Sequence, residues 1–319
     1  MDLDAFCKEQ RRGLLPVETA TLAYTLLTAA VIALCWKDMA HPLRLIESRV
    51  LVVAGMGVLA GIYYLAPSRA TRFMRSLYPL TLLGFWYPDT YDFCQLLPNL
   101  DWFFAQADLK LFGCQPALMF KVWLPGKAWS EAFHMGYFAY YPMIALCALL
   151  PLATGRERFQ QTAFTLTVCF FFYYTIYLFL PVAGPQYYFH AVDPELVGRG
   201  CFPHLGDYFR HHTELRASTL PDGFFKRLVE TAQQSGERPT AAFPSSHAGM
   251  STVIMILVGR MSRRVMLALV PFYVLLCGAT VYIEAHYLVD MLGGLITGVL
   301  FVPLAETLYS RMTRHPALK

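Results

Sequence analysis

Two short segments carry residue types that do polar chemistry. The first is Phe243-Pro244-Ser245-Ser246-His247, at the head of an apolar run. Pro244 suits the first position of a helix, because the N–H it lacks has no intrahelical partner there. The amides that follow, those of Ser246 and His247 among them, then point outward from a positive helix end, which is an anion site before any side chain is counted. The second segment is Glu284-Ala285-His286-Tyr287-Leu288-Val289-Asp290, at the head of a later apolar run. His286 and Asp290 lie four residues apart, which on a helix is one face. A carboxylate so placed can hold one imidazole nitrogen, fix the tautomer and leave the other nitrogen free.

What must position these residues is a membrane bundle. Of the 319 residues, 56% are hydrophobic, 15% aromatic and 15% charged. A soluble domain carries roughly 25% charged residues, and the mean hydropathy here is +0.41. The apolar content excludes intrinsic disorder. With a formal charge of +4 and no long basic run, the chain has no nucleic-acid footprint. The eight cysteines form no C-x-x-C pair, which argues against a zinc or thioredoxin-type site. A span takes about 20 mostly apolar residues in a helix. The expected fold is therefore all-α, a polytopic transmembrane helical bundle of about eight spans, near 17–36, 48–66, 76–96, 131–153, 161–182, 245–262, 265–284 and 286–308. The third is interrupted by Pro88, Asp89 and Asp92, and the first reads as a retained anchor. Residues 1–130 are expected to hold N-terminal transmembrane and interfacial helices, and 131–319 a catalytic membrane domain.

An even span count puts both termini on one face. The short loops of that face carry arginines, among them Arg69, Arg72, Arg75, Arg260, Arg263 and Arg264, which marks it as cytoplasmic. The long connections 97–130 and 183–244 fall on the other, periplasmic or lumenal, face. Within the second, Asp222 is expected to cap an amphipathic helix lying on lipid headgroups, and Tyr187, Tyr188 and Phe189 to join an aromatic interface belt. Gly294 and Gly298 form a small-residue face for close helix packing. Two spans separate the motifs, so both open helices on the same face. Two histidines, a hydroxyl and a helix N-terminus then converge, a set suited to phosphoryl transfer through a phosphohistidine with no metal or cofactor required.

These motifs resemble the type-2 phosphatidic acid phosphatase superfamily of membrane lipid phosphatases and phosphotransferases, whose core has six helices. Its P-S-x-H motif is similar to Pro244–His247, and its H-x-x-x-D motif to His286–Asp290. The resemblance implies that His286 is the nucleophile, that Asp290 orients it and that His247 protonates the leaving oxygen. It implies that Ser245, Ser246 and nearby amides hold phosphate. Two cationic clamps of typical members are replaced, one by Thr280 and the other by Gln186 in Gly184-Pro185-Gln186. Substitute cations are sought at Arg199, Arg210, Arg216, Lys226, Arg227 and, first, Arg238. The inositol phosphorylceramide synthase-like branch is similar at Thr280–Asp290, Asp108–Pro116 and Ser130–Tyr137. That branch implies transfer of an inositol-phosphate type headgroup to ceramide or diacylglycerol.

Glu131 and His134, one helical turn apart, are candidates for headgroup contact, and Asp89 is a weaker one; bracing of the bundle is the alternative for each. The expected activity is that of a lipid phosphotransferase or phosphatase on phospholipid or sphingolipid substrates in a bilayer, with protein partners unknown. A plain lipid phosphate phosphatase, of phosphatidic acid, phosphatidylinositol phosphate or isoprenyl phosphate type, is the first alternative. A transporter or a non-catalytic lipid-binding protein is the distant one.

Overall fold

The structure is a computed structural model that describes residues 13–153, 155–216 and 218–314. Cys7, Lys8, Arg11, Arg12 and Lys319 lie outside the described residues. Every regular element described is helical: α1 Pro16–Leu34, α2 Pro42–Leu65, α3 Arg69–Thr81, α4 Leu83–Cys94, α5 Asp101–Phe112, α6 Pro116–Trp123, α7 Lys127–Phe138, α8 Tyr140–Leu149, α9 Arg156–Tyr177, α10 Pro185–Ala191, α11 Pro194–Gly198, α12 Phe224–Gly236, α13 Ser246–Met261, α14 Arg263–Tyr282 and α15 Leu288–Arg314. Among the described residues, five helical stretches are long and apolar enough to cross a membrane: Pro16–Leu34, Pro42–Leu65, Lys127–Leu152, Arg263–Tyr282 and Leu288–Arg314.

The other three expected spans fall on shorter or more polar helices. The third breaks at Leu82 into α3 and α4, whereas Pro88 sits inside α4. The break follows Pro79, where the Leu82 amide bonds back only three residues to the Pro79 carbonyl. α9 opens on Arg156 and Glu157, and α13 has 16 residues.

α13 packs between α14 and α15, and α9 runs against both α13 and α15. The α13–α15 seam is set by glycine. A Cβ on Gly294 would stand 2.4 Å from the Ser245 carbonyl oxygen, and one on Gly298 would stand 2.5 Å from that of Gly249. The two backbones thus touch, as the small-residue face predicts. α14 lies on α7, and α12 packs on α7 with Val229 buried. α12 is therefore seated on the bundle and does not lie free on headgroups, because its apolar side has a protein partner.

The N-terminal helices dock on the far side of α9, where Tyr24 stacks on Phe171 at 4.3 Å between ring centroids. Two buried ion pairs tie them together. Arg75 of α3 meets Glu18 of α1 at 2.5 Å, and Arg49 of α2 meets Asp89 of α4 at 2.5 Å. Asp89 is thus held inside the N-terminal bundle by a guanidinium that also bonds Thr28, Leu45 and Ser48. Removing one partner of a buried pair strands the other charge at a cost of about 3–5 kcal/mol. Asp89→Ala is expected to lower the melting temperature of the protein in detergent. The double variant Arg49→Met with Asp89→Leu is expected to regain most of that loss, which paired thermal unfolding measurements check.

Candidate active site

The two motifs meet. Ser245 caps α13 by accepting the Ala248 amide on its side chain at 3.3 Å. The helix begins at Ser246, so Pro244 stands ahead of the cap and not at the first helical position. The Ser245 amide donates to the Asp290 carbonyl at 2.9 Å, which joins the head of α13 to the first turn of α15. The Tyr177 hydroxyl, at the end of α9, donates to the Pro244 carbonyl at 2.7 Å and accepts the Ser246 amide at 3.0 Å. The Ser246 amide is therefore spoken for. Within the first turn, the His247 amide alone has no partner among the described residues.

His286 lies two residues before α15, in the turn that follows α14, and not on the helix itself. Its Nδ1 is 2.8 Å from the Ala242 carbonyl oxygen, whereas the nearest Asp290 oxygen is 3.7 Å away. A carbonyl only accepts, so Nδ1 carries the proton and the lone pair sits on Nε2. Burial pushes the ring down to about 4, against the opposing hydrogen bond to Ala242, so it is neutral near pH 7. Asp290 turns its other interaction inward, accepting the Tyr287 amide at 2.9 Å at the helix head. The His247 ring stands 5.9 Å from that of His286, centroid to centroid, with Tyr137 stacked on it at 4.5 Å and Tyr140 tilted against it at 4.6 Å.

Two buried aspartates of α5, absent from the sequence reading as site residues, bracket this turn. Asp108 accepts the Leu288 and Val289 amides at 2.9 and 3.0 Å, capping α15 just after the nucleophile candidate. Asp101 accepts the Ala183 and Gly184 amides at 2.7 and 2.8 Å and the Tyr287 hydroxyl at 3.0 Å. Their spacing of seven residues, two helical turns, is the sequence signal that points both to one side.

The remaining candidates divide. Gln186 is at the site: its amide donates to the Glu284 carbonyl at 2.8 Å, and its side chain donates to Glu237 Oε1 at 3.1 Å. His134 lines an adjoining cavity of about 210 Å³ with Gln186, His190, Lys121, Glu230 and Glu284. Lys121 is paired with Glu284 there. Glu131 caps α12 by accepting the Phe225 and Lys226 amides, both at 3.1 Å, in place of Asp222, which is exposed. Arg238 is exposed, with Nη1 on the Glu237 carbonyl. Lys226 is paired with Asp222 and Glu230. Tyr187, Tyr188 and Phe189 are buried in the protein, not set in an interface belt, because α10 folds over the turn that holds His286.

A family model, the PAP2 superfamily, matches residues 103–304. The chain belongs to the PAP2 superfamily. That match starts on α5 and takes in both motifs of this PAP2 protein and the long connection 183–244. No curated protein and no solved structure matches the chain. Membership supports activity of the lipid phosphatase or phosphotransferase type in a bilayer.

Burial pushes the Asp108 carboxyl up to about 6, against the pull of its two amide bonds. Below that value it is protonated and loses one of the two acceptors that hold the Leu288 and Val289 amides. Activity is expected to fall as pH drops through about 6. Asp108→Asn is expected to lower kcat about 10- to 100-fold by loosening the turn and to remove that acid limb, which kcat–pH profiles of the two proteins check.

Proposed function

We propose that this protein transfers a phosphoryl-type group from a membrane lipid through a covalent phosphohistidine at His286. The observation that carries the reading is the fixed tautomer of His286 beside a second imidazole. Its Nε2 lone pair is free, and the His247 ring lies 5.9 Å away. The two rings are close enough to touch the same phosphate group.

In the first step Nε2 of His286 attacks phosphorus, the N–P bond forms and the bond from phosphorus to the lipid alcohol breaks. His247 gives that departing oxygen a proton. In the second step an acceptor hydroxyl attacks, His247 takes its proton and the N–P bond breaks. The Tyr137 ring stacks on the His247 imidazole and the Tyr140 ring lies tilted against it, which fixes the imidazole beside His286. The positive head of α13 and the unpartnered His247 amide face the developing charge on phosphate oxygens. Ala242, Tyr177, Asp101 and Asp108 act as positioning groups, and Asp290 ties α15 to α13 through its backbone carbonyl. No metal enters either step.

An alcohol acceptor such as ceramide or diacylglycerol makes the protein a transferase; water makes it a phosphatase. Arg260, Arg263 and Arg264 at the opposite end of α13 and α14 support cytoplasmic termini and a site at the outer surface. The reading is tested by rapid quenching with 32P-labelled phospholipid. Label is expected on the protein as an acid-labile, alkali-stable adduct that maps to His286. His286→Ala is expected to abolish the adduct and to cut turnover about a thousandfold or more. Adding a lipid alcohol is expected to divert the label from inorganic phosphate into a new lipid if the protein is a transferase.

A further inference from the structure

The residue that closes α14 is of an unusual type for its place. Glu284 stands two residues past Tyr282 with a φ of 64°, and its amide donates to the Val281 carbonyl at 3.1 Å. That is the left-handed closing position of a helix, which glycine fills most often because a Cβ there crowds the following carbonyl. Among the described residues, one other non-glycine residue has a positive φ, Ala241 at 65°. Ala241 precedes the Ala242 carbonyl that holds His286 Nδ1, and Glu284 lies two residues before His286 itself. Both left-handed residues thus border one imidazole. Such conformations persist only where the surroundings enforce them.

At Glu284 the enforcement comes from several sides. Its carboxylate is buried and pairs with Lys121 Nζ of α6. Its carbonyl accepts the Gln186 amide at 2.8 Å, from the head of α10. A Cβ on Gly184 would stand 2.8 Å from the Ala285 carbonyl oxygen, so the segment before α10 lies directly on this turn. The Tyr282 hydroxyl donates to the Leu124 carbonyl at 2.9 Å, a second tie to the end of α6. The His286 amide donates to the Thr280 carbonyl at 2.9 Å, so Glu284 sits inside the loop that carries the nucleophile. Of these contacts, the ion pair alone needs the Glu284 side chain.

Resting on the phosphoryl-transfer reading above, we propose that Lys121 and Glu284 are a positioning pair. Their ion pair clamps Glu284 in the left-handed conformation and so aims Nε2 of His286 at the phosphate. Both residues act through the main chain. When Glu284 relaxes, Ala285 and His286 turn away from the Ala242 carbonyl, and the imidazole loses its fixed tautomer. Glycine at this position takes the same conformation without a clamp. The two side chains also line the adjoining cavity, where direct contact with a bound headgroup is the rival role. That rival acts on KM and gives glycine no advantage over alanine.

Two measurements on the full-length protein in detergent test this. One is kcat and KM on 32P-labelled phosphatidic acid and phosphatidylglycerol. The other is the 15N spectrum of the histidine rings, with His286 assigned through His286→Ala. Lys121→Met and Glu284→Ala are each expected to lower kcat about tenfold or more, with KM changed less than about threefold. Both are expected to move the His286 nitrogen resonances toward a mixture of tautomers. Glu284→Gly, alone or combined with Lys121→Met, is expected to bring kcat back to within about threefold of the wild type and to restore the resonances. Glu284→Gly behaving like Glu284→Ala, a loss confined to KM, or a Lys121→Met protein with wild-type kcat and spectrum overturns the pair. If Lys121→Met does not fold, the comparison of Glu284→Ala with Glu284→Gly decides. If the wild type turns over neither lipid and forms no phosphohistidine, the phosphoryl-transfer reading fails, and the spectra still decide the positioning pair.

Discussion

A carboxylate taken out of water must be met by donors, and for two acids of α5 the donors are main-chain amides of the loop before α10 and of the head of α15. Asp108 receives those of Leu288 and Val289, and Asp101 those of Ala183 and Gly184. Leaving such a charge unmet costs several kcal/mol even after relaxation. The two acids therefore cannot be satisfied unless the loops before α10 and α15 both come to α5. That one demand places Gln186, which follows the first loop, and His286, which precedes the second helix, on the same side of the bundle.

The site was legible in the sequence where chemistry is written in side-chain types at short spacing. Pro244 to His247 and His286 to Asp290 announced themselves in this way, and both lie where two intervening apolar runs place them. What holds them was not legible. Ala242 orients His286 through a carbonyl that every residue type possesses, and Tyr177 joins the Pro244–Ser246 turn from 67 residues away. A helical spacing of four suggested that Asp290 grips His286. His286 precedes the helix, so the carboxylate accepts the Tyr287 amide and stands 3.7 Å from the His286 Nδ1.

Polar residues in apolar helices were also ambiguous between headgroup contact and internal bracing. Asp89 and Glu131 brace: one answers Arg49 across the N-terminal helices, and the other answers two amides at the start of α12. The choice depends on whether a donor arrives from elsewhere in the chain, which spacing along one helix does not encode. Span lengths suffer similarly. Leu82 interrupts what reads as one apolar run, because Pro79 alters the hydrogen-bond ladder beneath it.

The glycine seam between α13 and α15 has a kinetic consequence. Helices whose main chains touch at Gly249, Gly294 and Gly298 have no side-chain layer that can slide or breathe. Parting them to admit a lipid would open a void lined by polar backbone. Any displacement that a bound lipid demands is thereby left to segments outside this seam, and the spacing of α13 from α15 can stay constant while they move.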